Sequence, residues 1–145
     1  MNRDFLDMLG ALKSADAEFL VVGAHALAAH GRPRATGDLD IWIDPTPDNV
    51  QRVWSALLAF GAPLDLLSPD DFLQPDCVIQ FGVEPGRIDL LTSITGVRFD
   101  EAWPRRNMVE VAGLTIPVLG KVDLVRNKRA TGRPKDQIDA DELER

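Results

Sequence analysis

Apolar positions recur along this chain with two periods, and their alternation outlines an α/β domain. Phe5, Leu6, Met8, Leu9 and Leu12 fall at helical spacing and predict an amphipathic first helix. The runs at 18–22 and 38–43 read as strands, separated by a short small-residue helix after Gly23. Thr46-Pro47 supplies a cap followed by proline at the first helical position, and Gly61 supplies the stop. Between them Val50, Val53, Trp54, Leu57 and Leu58 form an apolar stripe expected in the core. Segments 77–81 and 87–91 resemble paired strands joined through Glu84-Pro85-Gly86, which would bring Asp89 into the sheet. A hairpin is expected from 109–111 and 114–118, turning at Ala112-Gly113, and helices over 121–130 and 134–143 close the chain. Positions 62–75 form a proline- and aspartate-rich connection, with no repeat or linker elsewhere. The expectation is one α/β domain over 1–145, a mixed β-sheet flanked by helices.

Composition narrows the class. A chain of 145 residues is long enough to bury roughly 70% of its unfolded surface in a single core. The single cysteine, Cys77, excludes an intrachain disulfide framework and fits a reducing compartment. Met1-Asn2-Arg3-Asp4 leads into no long apolar segment, and no run approaches a membrane span, so a cytoplasmic protein is expected. The net charge of −7 argues against broad, nonspecific binding to nucleic acid, which depends on neutralising phosphates. Positive charge is nevertheless concentrated at Arg126, Lys128, Arg129, Arg133 and Lys135. That cluster is either a solvated helix end or a local patch suited to a triphosphate.

Candidate chemistry centres on Asp38-Leu39-Asp40, which opens the apolar run through Ile43. Residues i and i+2 of a strand share a face, so both carboxylates point the same way. Two carboxylates on one face of a buried strand call for positive charge between them, and a hard divalent cation such as Mg²⁺ or Mn²⁺ suits oxygen ligands. Upstream, the strand ending at Val22 meets Gly23-Ala24-His25, where glycine permits close backbone approach to a ligand and a helix start offers free N–H groups. Arg34 and Thr36 lie in the basic connector before Asp38. Downstream, Asp89 sits alone within an apolar strand and supplies the third carboxylate that a two-metal transfer site needs.

The order strand–Gly–helix–Arg-x-Thr-x-Asp-x-Asp–strand–helix–strand–Asp resembles the nucleotidyltransferase superfamily related to DNA polymerase β. Within it, the chain resembles the small bacterial members that include the AbiEii-type toxins. The stretch from Asn127 to Asp136 resembles the Lys…Lys/Arg-Asp motif that follows the core in those proteins. The resemblance implies a nucleotidyltransferase fold, with Asp38, Asp40 and Asp89 as catalytic metal ligands and a nucleoside triphosphate as co-substrate. It makes Gly23, Ala24, His25, Arg34, Thr36, Lys128, Lys135 and Asp136 candidates for holding that nucleotide, with ATP among the possibilities. The acceptor it implies is a hydroxyl of RNA, including a tRNA 3′ end, or of a protein. An antitoxin or a second copy of the chain is the implied partner, with no role for a membrane.

The turn departs from the family pattern, because Ala24 and His25 stand where a Gly-Ser turn would supply a hydroxyl to the triphosphate. His25 either donates to phosphate in its place or caps the helix. Arg34 is a phosphate fork or a surface arginine, and Thr36 a ligand contact or a turn residue. Asp136 orients a lysine or caps the last helix, while Lys121 is a phosphate contact or a solvated helix start. Phe99 and Trp103, beside Arg105-Arg106, either stack on a base or pack internally. A haloacid dehalogenase-type phosphatase is disfavoured because its carboxylates follow an apolar strand, whereas these precede one. A calcium loop fails for want of its ligand series. A degenerate nucleotidyltransferase that binds nucleotide or a partner without catalysis is the alternative.

Overall fold

A computed structural model describes residues 1–32 and 37–145; the candidates Arg34 and Thr36 lie outside the described residues. Helix α1 (Arg3–Ser14) starts where the Asn2 side chain accepts from the Phe5 N–H at 2.9 Å, and it buries Phe5, Met8, Leu9 and Leu12. Strand β1 (Phe19–Val22) is buried at all four positions, as a strand covered on both faces must be. It leads into α2 (Gly23–Ala29) and then, beyond the connector, into β2 (Leu39–Ile43).

Helix α3 (Pro47–Phe60) follows, ending at Gly61, whose φ of 88° is the left-handed conformation of a helix cap. Thr46 does not cap it through its side chain. Instead, the buried Asn49 amide accepts from the Glu18 N–H at 2.7 Å and donates to the Glu18 and Asp44 carbonyls. This amide pins the first turn of α3 to the chain flanking β1 and β2. Leu58 departs from expectation: it is 61% exposed while Leu57 is fully buried. One residue rotates a helical side chain by 100°, which carries Leu58 out of the stripe. The 62–75 connection also holds more than the sequence suggests, a 3₁₀ turn over Pro69–Leu73 that inserts Phe72 edge-on against Trp54.

Strands β3 (Val78–Phe81) and β4 (Ile88–Leu91) pair antiparallel, as expected. The short helix α4 (Phe99–Ala102) carries Phe99 into an internal aromatic group with Trp42 and Trp103, and the Arg106 guanidinium lies 4.0 Å over the Trp103 ring. Phe99 is therefore spent on packing. Strands β5 (Asn107–Val111) and β6 (Leu114–Val118) form the expected hairpin, with Ala112 and Gly113 both at positive φ as a two-residue turn of this twist requires. Helices α5 (Lys121–Thr131) and α6 (Pro134–Glu144) pack on each other and complete the chain.

Among the described residues the strands form one mixed sheet in the order β3-β4-β2-β1-β6-β5. The β2–β4 and β1–β6 pairs are parallel, and the others antiparallel. No helix among the described residues is long and apolar enough to cross a membrane.

Candidate active site

Strand register assembles the carboxylates. On parallel neighbours, Asp40 of β2 stands opposite Asp89 of β4, and such strands run about 4.8 Å apart, so the two side chains meet on one face. Antiparallel pairing sets Val22 opposite Asp40, which brings the following residue, Gly23, against the Asp40 carboxylate. A Cβ at Gly23 would lie 2.2 Å from Asp40 Oδ2, and the backbone there has a φ of 67°. Only glycine satisfies both demands. The Gly23 of the turn thus makes room for a carboxylate of this chain.

Asp38 joins them at the edge of the β2–β4 ladder, where its Oδ1 accepts from the Arg87 backbone N–H at 3.2 Å. The Arg87 side chain then bridges the cluster. Its Nε and Nη2 donate to the two oxygens of Asp89 at 2.8 and 3.2 Å, Nη2 also lies 3.2 Å from Asp38 Oδ2, and Nη1 reaches Glu84 at 2.9 Å. Sequence reading gave Arg87 no role, although its place two residues before Asp89 puts both side chains on one face.

Asp40 carries the electrostatic strain of this arrangement. Burial, the charge and hydrogen bond of neighbouring Asp89, and the charge of Asp38 push its pKa up to about 6, against a smaller opposing pull from Arg87. Among the described residues, the Arg87 guanidinium bridges Asp38 and Asp89 and exerts only the smaller opposing pull on Asp40. The carboxylate oxygens are hard donors of the kind that a divalent cation takes, and the cluster already binds a cation in Arg87. In this arrangement no group of three His, Cys, Asp or Glu side chains among the described residues is drawn together to enclose an ion. The donor set fits such a metal in kind, with the position between Asp38 and Asp89 held by the guanidinium.

Asp40 also opens into a cleft of about 520 Å³ between the end of the sheet and the α5–α6 pair. Gly23 and Ala24 line its near side, while Lys128, Arg133, Lys135, Asp136 and Asp139 line the far side. Asp38, Asp89 and His25 do not line it. His25 is set edge-on to Phe5, with ring centroids 5.6 Å apart, and a hydrogen bond ties it to the Asp38 backbone. Its Nε2 is buried without a hydrogen-bond partner among the described residues, and burial lowers its pKa, with the positive chain terminus adding to the effect. His25 thus takes up neither expected use: it does not line the cleft, and α2 begins after Val22 without a side-chain cap, so it is a packed side chain against Phe5.

The basic stretch is largely spoken for. Lys128 lies 3.3 Å from Asp136 and 3.5 Å from Asp139, both buried. Asp136 also accepts from Thr131 Oγ1 at 2.7 Å and Arg133 Nε at 2.8 Å. Burial would raise the Asp136 pKa, but these donors together outweigh it and hold the pKa below its ordinary value. Arg129 pairs with Asp141 and Glu144, and Arg126 approaches Asp123. Lys135, exposed at the cleft, makes no ion pair among the described residues. Asp136 is thus an ion-pair partner of Lys128. Asp139 is not among the residues expected at the site, although its i+3 spacing from Asp136 places both on one helix face.

No protein-family model matches the chain, and no curated protein matches it in sequence. Among solved structures it is similar to a protein of Thermotoga maritima, a candidate nucleotidyltransferase, with a TM-score of 0.57 at 17% identity over 98% of this chain and 89% of that one. The likeness is one of fold: among the described residues the chain has a six-stranded mixed sheet flanked by helices, the fold of that candidate nucleotidyltransferase.

Proposed function

We propose that this chain is a metal-dependent nucleotidyltransferase that moves a nucleoside monophosphate from a nucleoside triphosphate to an acceptor hydroxyl. The observation that carries this reading is the in-register Asp40–Asp89 pair, with Asp40 opening into a cleft whose opposite wall carries the exposed Lys135 beside the paired Lys128 and Arg133. The shared fold supports it. In this reading Asp38, Asp40 and Asp89 hold Mg²⁺ or Mn²⁺. When bound, the cation supplies charge neutralisation on the phosphoryl oxygens and a lowered pKa for the acceptor hydroxyl.

The chain's own residues divide the remaining work. Gly23 lets Asp40 stand at the mouth of the turn, and Ala24 forms the cleft wall beside it. Lys135 and Arg133 offer positive charge to the phosphates, while Asp136 and Asp139 hold Lys128 in a fixed position from which its field reaches the same cleft. The acceptor we assign is a hydroxyl of RNA, such as a tRNA 3′ end, or of a protein. A toxin role, with an antitoxin or a second copy as partner, extends the reading by resemblance.

The test is calorimetric titration of each of the four nucleoside triphosphates with Mg²⁺ into wild type and Asp40→Asn, followed by transfer of label to RNA. Binding of one nucleotide, weakened in Asp40→Asn together with a fall in transfer of about 10²–10³-fold, is the expected result. Failure of all four to bind sinks the reading. Binding without transfer to any acceptor favours the alternative, a nucleotide-binding module without catalysis, which the Arg87 hold on Asp38 and Asp89 makes specific.

A further inference from the structure

We propose that Arg87 is a displaceable internal cation that closes the carboxylate cluster, so that a divalent metal ion must compete with its guanidinium for Asp38 and Asp89. The inference deepens the reading above and rests on it. Both oxygens of Asp89 and one of Asp38 are engaged by Arg87, at 2.8, 3.2 and 3.2 Å. An ion held by these two carboxylates needs those same oxygens, and two cations sharing them would repel each other at close range. Among the described residues, removing the guanidinium with no ion in its place would leave the Asp89 carboxylate, 10% exposed, without a cation, which buried charge does not tolerate. The cluster therefore exchanges one cation for another.

The surroundings permit that exchange. The Arg87 side chain is 25% exposed, so it has a path to solvent. Its Nη1 already rests on Glu84, a carboxylate 69% exposed and outside the sheet, which can keep the guanidinium company after it leaves Asp89. The Arg87 backbone is fixed independently of its side chain: its N–H bonds Asp38, and its carbonyl accepts from the Leu39 N–H at 3.0 Å. Side-chain rotation can release the carboxylates while the β2–β4 ladder stays closed. Arg87 is thus a positioning residue that regulates access to the site.

Titration of Mn²⁺ alone, without nucleotide, into folded wild type, Arg87→Lys and Arg87→Gln reads the competition directly. The expected order of affinity is wild type weakest, Arg87→Lys intermediate and Arg87→Gln tightest, the last by on the order of ten-fold or more. The gain must vanish when Asp38→Asn is added. A merely structural arginine would lower thermal stability without tightening metal binding, so equal or weaker Mn²⁺ affinity in Arg87→Gln overturns the inference and leaves the nucleotidyltransferase reading standing. Should Arg87→Gln not fold, Arg87→Lys decides, because it keeps the charge but loses the two-pronged grip; unchanged affinity there overturns the inference. No Mn²⁺ binding by any variant overturns both the inference and the metal-dependent reading.

Discussion

Asp40 and Asp136 line the same cleft from opposite walls, yet their surroundings shift them in opposite directions. Burial disfavours the charge of both. Around Asp40 the described neighbours are the carboxylates of Asp89 and Asp38 and the guanidinium of Arg87, so burial and repulsion act together and the pKa rises to about 6. Around Asp136 a hydroxyl, an ammonium and a guanidinium converge on one carboxylate, and their combined pull overcomes burial. The number of donors per carboxylate decides the direction. One wall is a satisfied network that builds structure; the other is a charge-rich cluster that gains by taking up a proton or a cation.

That contrast can be broken most sharply on the satisfied wall. Asp136→Ala leaves the largely buried Lys128 without its nearer carboxylate, although Asp139 remains beside it. Losing one partner of such a network should cost about 3 kcal/mol, read as a lowered denaturation midpoint with an unchanged slope. A loss below about 0.5 kcal/mol would mean that the network is solvated like a surface pair.

On the other wall, Gly23→Ala forces a Cβ toward Asp40 Oδ2 at a backbone conformation that disfavours side chains. We expect a loss of about 1–3 kcal/mol in urea unfolding, with nucleotide binding weakened alongside it. Nucleotide affinity equal to wild type would show that the position of Asp40 does not matter to the cleft.

The smallest effect is the pH dependence of the metal-free protein. Between the ordinary carboxyl value of 3.8 and about 6, folded Asp40 retains a proton that the unfolded chain has released. Its contribution to stability is therefore complete below that window, falls as pH rises through it, and levels off above pH 6. Asp136 has the opposite sign: its contribution is complete above the ordinary value and is lost as pH falls through its depressed folded pKa. Asp44 is also raised, by burial and then by Glu18, so the Asp40 share is taken as the difference between wild type and Asp40→Asn. Parallel stability profiles for the two proteins between pH 4 and 6 would refute the assignment.

Local pattern made much of this molecule legible. Period and punctuation placed each principal helix and strand, because helical spacing, the Gly61 stop and the Ala112-Gly113 turn act within a few residues of sequence. The same logic put Asp38 and Asp40 on one face and Asp89 on a strand of the same sheet. Leu58 falls outside the core because the apolar stripe of α3 is wider than the face that the helix buries.

What the sequence determined by itself was the set of elements and the residue types that each brings to its end, since backbone periodicity and turn chemistry are local. The tertiary structure alone decided which charges meet: Arg87 with Asp38 and Asp89, the α5 cations with the α6 acids, and His25 with Phe5 rather than the cleft. Ion pairs form between whichever groups register and packing bring within about 4 Å, and their strength depends on burial. Neither separation nor burial is written in the order of residues.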